Sequence, residues 1–172
     1  MYRWLFERRF TLIRCSHVLW ALVAYGCIHS NPSNISSENS CVHDDRTLRC
    51  VRYVDNYDGD TAKFNIDGVH WLLREKLRVR LIGIDAPEMK DTKGHVRGPC
   101  EKRMALRSGA FLRSRLTEGS HIDIVNIQGW DNFGRVLADV AVDRVGLSAL
   151  MLRKNLAFPY KKNGDWCELE NQ

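Results

Sequence analysis

Three short segments hold side chains suited to chemistry on a phosphodiester. They are Asp58-Gly59-Asp60-Thr61, then Arg80-Leu81-Ile82-Gly83-Ile84-Asp85-Ala86-Pro87-Glu88, then Asp131-Asn132-Phe133-Gly134-Arg135. Cleaving such a bond needs a water made nucleophilic and a means of neutralising charge on the five-coordinate phosphorus. A hard cation held by carboxylates supplies part of that, and calcium or magnesium takes oxygen ligands. Asp60 and Asp85 offer two carboxylates. Glu88 adds a third acid across Pro87, which blocks strand pairing and leaves both acids on one loop. Arg80 and Arg135 add forked, permanently charged donors that match phosphate oxygens. Each residue also has a plainer reading: Asp58-Gly59 is a common turn pair, and Glu88 reads equally as a solvated loop acid. Arg80 is harder to set aside, because an unpaired guanidinium inside an apolar strand is costly. It is the combination that points to a site.

The elements needed to bring these segments together are legible in the hydrophobic pattern. Residues 48–54, 61–66 and 77–84 alternate as strands, with Asp-Gly turns at 58–59 and 67–68, and predict a three-stranded meander. A loop spans 89–98, and Pro99 stands as the first residue of a helix over 100–116. Lys102, Arg103, Arg107, Arg113 and Arg115 make that helix basic, either as solvated surface or as contacts to a nucleic-acid backbone. Residues 121–127 and 136–142 are two further strands, and 147–156 a short apolar helix. This order is that of a mainly β, α+β fold: a five-stranded OB-type Greek-key barrel with two to three helices.

With their order and separations, the three segments resemble the staphylococcal nuclease (thermonuclease-like) family over about residues 48–160. The resemblance implies a calcium ion, with magnesium the lesser candidate, bound by Asp60, Asp85 and the main-chain carbonyl of Ala86. It implies Glu88 as general base, Arg80 and Arg135 as donors to the scissile phosphate, and Asp58 as a partner orienting the metal ligands. Two departures stand out. Asn132 and Phe133 replace a lysine and a tyrosine of the type member, removing an ammonium and a phenol hydroxyl. The type member's long C-terminal helix is also not expected in this sequence, which runs only a few residues past Trp166-Cys167. Phe133 and Tyr160 remain as aromatics able to stack bases, an interaction worth about 1–3 kcal/mol each.

Bulk properties limit the partner class less than placement does. The formal charge is +5, but Arg3, Arg8, Arg9 and Arg14 against Glu7 put +3 of it in residues 1–30. Residues 1–28 read as a signal or membrane-targeting segment, its apolar run too short for a permanent span. Residues 29–46 read as a polar linker and 47–172 as the thermonuclease-like OB-fold domain. Cys27 after Gly26 is a candidate lipid acceptor, although Ala24 is not the larger aliphatic such sites favour. The four cysteines beyond it, Cys41, Cys50, Cys100 and Cys167, suggest two disulfides in an oxidising compartment. Three connectivities are open, and Cys41–Cys50 with Cys100–Cys167 is the expected one, since it closes a short loop and ties down the tail. Together these features describe a secreted or periplasmic, monomeric nuclease acting on DNA and/or RNA with low sequence specificity. The alternatives are a non-catalytic OB-fold nucleic-acid-binding protein and an envelope-anchored structural lipoprotein.

Overall fold

The computed structural model describes residues 41–89, 98–162 and 164–171. The expected targeting segment 1–28 with Cys27, residues 29–40 of the polar stretch, and most of the 89–98 loop lie outside the described residues.

Strands β1 (Arg52–Asn56), β2 (Thr61–Asn65) and β3 (Leu77–Leu81) form the antiparallel meander. The helix α2 (Pro99–Glu118) follows, then β5 (Ile122–Trp130) and β6 (Val136–Val142). β6 lies parallel to β3 and antiparallel to β5, giving the order β1-β2-β3-β6-β5. The residues ahead of β1 close the ring. Leu48 and Ile124 exchange both backbone hydrogen bonds at 2.8 Å, and Val51 donates to the Ile122 carbonyl at 2.9 Å. Strand alternation explains the core. Ala62, Phe64, Val79, Leu81, Ile124 and Val140 point inward and are fully buried, each larger side chain contributing about 1.5–3 kcal/mol.

The long third strand expected over 77–84 is broken. Gly83 takes φ +77°, a left-handed conformation that a glycine tolerates. The chain then leaves the barrel sheet as β4 (Ile84–Asp85) and pairs with β8 (Phe158–Pro159). β7 (Val145–Gly146) is a short return onto β6.

Four helices are present among the described residues rather than two to three. α2 and α3 (Leu147–Arg153) match the expected pair. α1 (Trp71–Arg74) is a single turn whose Leu72 amide is capped by His70, and α4 (Trp166–Glu170) starts on Asp165, which accepts from the Cys167 amide at 2.7 Å. Both are too short to show a helical period.

α2 lays Met104, Ala105, Ser108, Leu112 and Leu116 on the barrel, at the spacing of one helical face. The disulfides are Cys41–Cys50 and Cys100–Cys167. The second joins the first turn of α2 to α4, and a forked Arg103–Glu170 ion pair at 2.7 and 2.6 Å runs beside it.

Candidate active site

The β1–β2 turn is built to hold carboxylates against a helix. Asp58 Oδ1 accepts from the amides of Asp60 (3.2 Å) and Thr61 (2.8 Å), which folds the turn over its own side chain. Asn56 Nδ2 then donates to the carbonyls of Asp58 (2.8 Å) and Gly109 (3.0 Å), pinning the turn to α2. Gly59 lies so close to that helix that a Cβ there would sit 1.8 Å from Ser108 Oγ. A glycine is required by contact, not by dihedral preference.

Asp60 is fully buried, and every polar contact it makes leads to another part of the site. Its main-chain carbonyl accepts from Leu81 at 2.8 Å, and its Oδ2 accepts from the Ala86 amide at 3.0 Å. Its Oδ1 accepts from Thr61 Oγ1 at 3.0 Å and is ion-paired with Arg80. Arg80 also donates to Asp85 Oδ1 at 2.9 Å. Arg80 therefore points out of the barrel core toward the site, between two acids. Burial opposes its charge, but Asp60 and Asp85 outweigh that and hold the guanidinium above its usual value.

Arg135 arrives from the other side. Asp131 caps its own loop, accepting from the amides of Phe133 (2.9 Å) and Arg135 (2.8 Å) and from Arg135 Nε (2.7 Å). Burial alone would raise the Asp131 carboxyl, but these donors hold it below the usual range. The free edge of the Arg135 guanidinium donates from Nη1 to Thr61 Oγ1 at 3.1 Å. Thr61 thus joins the two arginines, accepting from one and donating to the acid that holds the other. Neither Thr61 nor Asp131 was singled out for a role from sequence. Their presence inside the two motifs was the available signal.

Glu88 lines the same open cleft, of about 660 Å³, with Asp58, Arg80, Arg135, Phe133 and Tyr160. Burial, then the charges of Asp58 and Asp60, push its carboxyl up to about 7. Asp58 is likewise raised to about 6, by burial and then by Asp60. A carboxyl held at that value exchanges its proton near neutrality. Its amide faces Glu101 Oε1 on α2 at 3.4 Å. Phe133 and Tyr160 sit on the rim, 68% and 57% exposed, and Arg135 lies 5.4 Å from the Phe133 ring centre. The structure therefore brings together all of the acids, arginines and aromatics expected from sequence. They come from the β1–β2 turn, β3 with β4 and the loop beyond it, the β5–β6 turn, and the turn that follows β8.

The model of the staphylococcal nuclease homologue family matches residues 78–172, more than half of the chain. The chain belongs to the staphylococcal nuclease family. Comparison with curated proteins finds no match. The matched span of this staphylococcal nuclease homologue begins on β3, so Asp58, Asp60 and Thr61 lie ahead of it. They are joined to it by the contacts of Asp60 with Arg80, Leu81 and Ala86.

The donor chemistry fits a hard cation. Asp60, Asp85 and the Ala86 carbonyl are all oxygen donors. Four acids face one another here, and Arg80 alone is ion-paired with them among the described residues. The upward shifts at Asp58 and Glu88 come first from burial and then from the neighbouring acids. No set of three or more His, Cys, Asp or Glu side chains among the described residues stands in metal-holding geometry. The expected set has only two such side chains and one carbonyl.

Proposed function

We propose that this nuclease-family protein is an exported, calcium-dependent hydrolase of phosphodiester bonds in DNA and/or RNA, with low sequence specificity. The observation that carries the reading is the Arg80–Asp60–Thr61–Arg135 chain of contacts. It aims two guanidinium groups, one from β3 and one from the β5–β6 turn, at one cleft whose wall includes a carboxyl titrating near 7.

Asp60, Asp85 and the Ala86 carbonyl would hold calcium, which when bound supplies positive charge to a phosphate oxygen. Asp58 orients the turn that presents Asp60. Arg80 and Arg135 donate to the non-bridging oxygens, and their hydrogen bonds strengthen as charge builds on them. Glu88 takes the proton of the attacking water. Phe133 and Tyr160 offer flat faces to bases of any identity, which favours accessible or single-stranded substrate over a particular sequence.

Export is supported by the arginines and short apolar run of residues 1–28 and by two disulfides, which persist in oxidising compartments. Secretion or a periplasmic location both satisfy this. The direct test of the residue roles is cleavage of DNA and RNA by Glu88→Gln and Arg135→Ala proteins. Each should lose at least about a hundredfold in kcat. Parental activity in either would refute its assignment.

A further inference from the structure

Lys63 and Arg78 have no part in the chemistry described so far. β2 and β3 pair with Thr61 opposite Arg80 and Lys63 opposite Arg78. All four point out of the barrel, because Ala62, Phe64, Val79 and Leu81 fill its interior. Same-face neighbours along a strand stand about 6.6 Å apart. Lys63 and Arg78 therefore continue the Thr61–Arg80 pair by one step along the outer face.

Like charges directly opposite one another weaken a sheet. The pairing offsets them only in part, since Asp55 stands opposite Lys63 on β1 and no acid stands opposite Arg78 on β2. Lys63 reaches Asp55 only at 3.7 Å, and that acid also faces Arg113 at 3.5 Å. The Arg78 guanidinium donates to the neutral carbonyl of Phe133 at 2.7 Å, and no acid among the described residues is ion-paired with it. Both cations line the same cleft as Arg80, Arg135 and Glu88. Phe133 and Tyr57 flank them on the rim, 68% and 67% exposed. One acid shared between Lys63 and Arg113, and none paired with Arg78, leaves an excess of positive charge beside exposed aromatic faces, the chemistry of a bound single strand.

We propose that Lys63 and Arg78 form a second phosphate subsite, binding a phosphodiester adjacent to the scissile one in a DNA or RNA strand. Phe133 or Tyr57 stacks a base beside it. The inference rests on the nuclease reading of the cleft and adds a preference for polynucleotides over isolated nucleotide diesters.

The test is binding of a fluorescent single-stranded oligonucleotide, in calcium and at several salt concentrations. A Glu88→Gln background keeps the strand intact. Adding Lys63→Gln and Arg78→Gln should weaken binding about tenfold, a loss of about 1.4 kcal/mol. It should also make the slope of log K against log salt shallower by about 0.7, the contribution of one single-strand phosphate. A charge control, Arg153→Gln with Lys154→Gln on the exposed end of α3, should leave both quantities in place. Arg78→Lys should restore most of the slope, and Lys63→Gln alone serves if the double variant does not fold. Unchanged affinity and slope, or an equal loss in the control, would overturn the subsite. A wild-type protein that cleaves strands while the subsite variants bind normally overturns only the subsite. One that binds strands by these residues without cleaving them overturns only the nuclease reading.

Discussion

Arg135 donates from Nη1 to Thr61 Oγ1 at 3.1 Å, and so fixes the β5–β6 turn to the residue that follows the buried Asp60. Thr61 has one hydroxyl proton, and it goes to Asp60 Oδ1. The Thr61 hydroxyl therefore orients a guanidinium and a carboxylate at once. Thr61→Val keeps the shape and removes both bonds. It should lower kcat by about tenfold with little change in KM, the signature of a loosened transition-state donor. Thr61→Ser should recover most of the rate. A Thr61→Val enzyme with parental kcat would contradict the coupling.

Gly59 tests how tightly the turn is seated. A methyl group there meets Ser108 Oγ at 1.8 Å, on a helix whose neighbouring Gly109 carbonyl is already bonded to Asn56. Gly59→Ala should destabilise the fold by about 1–3 kcal/mol through overpacking. It should also displace Asp58 and Asp60, lowering activity even at temperatures where the protein remains folded. Ser108→Gly in the same chain should return part of the stability. Thermal melts of the three proteins decide the matter.

Much of this seating was legible in the residues, and some was not. The fifth strand of the barrel, 136–142, is read directly from its alternation and is found at Val136–Val142. The disulfides are the pair expected among three open connectivities, one closing a short loop and one anchoring the tail. The break after Leu81 was missed because Ile82, Gly83 and Ile84 continue an apolar run. The strand leaves the sheet there through one positive φ and finds a partner in Phe158–Pro159, far away in sequence. The roles of Thr61 and Asp131 were hidden for the same reason. Each depends on where Arg135 ends up in space, and spacing along the chain does not contain that. Arg80 was visible as a cation inside an apolar strand, costly if unpaired, and the structure sets it on the outer face, where Asp60 and Asp85 meet it.

The pH dependence of stability should be reversed by calcium. Glu88 is raised from 4.5 to about 7 and Asp58 from 3.8 to about 6 in the folded chain. Between those values the folded state binds more protons than the unfolded one, so stability falls as pH rises. In chelator, Tm should therefore drop between about pH 5 and about pH 7. Asp131 works in the opposite sense. Its lowered value contributes stability above the ordinary carboxylate range, lost as the solution becomes more acidic. Calcium should raise Tm most near neutrality, where the acids are ionised, because a ligand that binds only the folded state stabilises it. A Tm in chelator that climbs steadily over that range would contradict the charge balance described for the site.

The Cys100–Cys167 bridge closes the larger loop, with a sequence separation of 67. Removing it by Cys100→Ser with Cys167→Ser should cost about 2–4 kcal/mol by the chain-entropy account. α4 should be the first element to exchange its amide hydrogens, since beyond the bridge it is held by the Arg103–Glu170 pair and the Phe158–Trp166 ring contact. Six free thiols in the full-length, non-reduced chain, or four in residues 30–172, would contradict the pairing itself.

The central claim is that these acids and arginines form a metal-dependent phosphodiesterase. It is tested most directly by incubating the purified protein with plasmid DNA and with RNA, in calcium, in magnesium and in chelator. The account predicts degradation of at least one of the two in calcium, less in magnesium, and none in chelator, restored when calcium is returned in excess. Undiminished cleavage in chelator would contradict the metal role, and intact nucleic acid under every condition would contradict the enzyme.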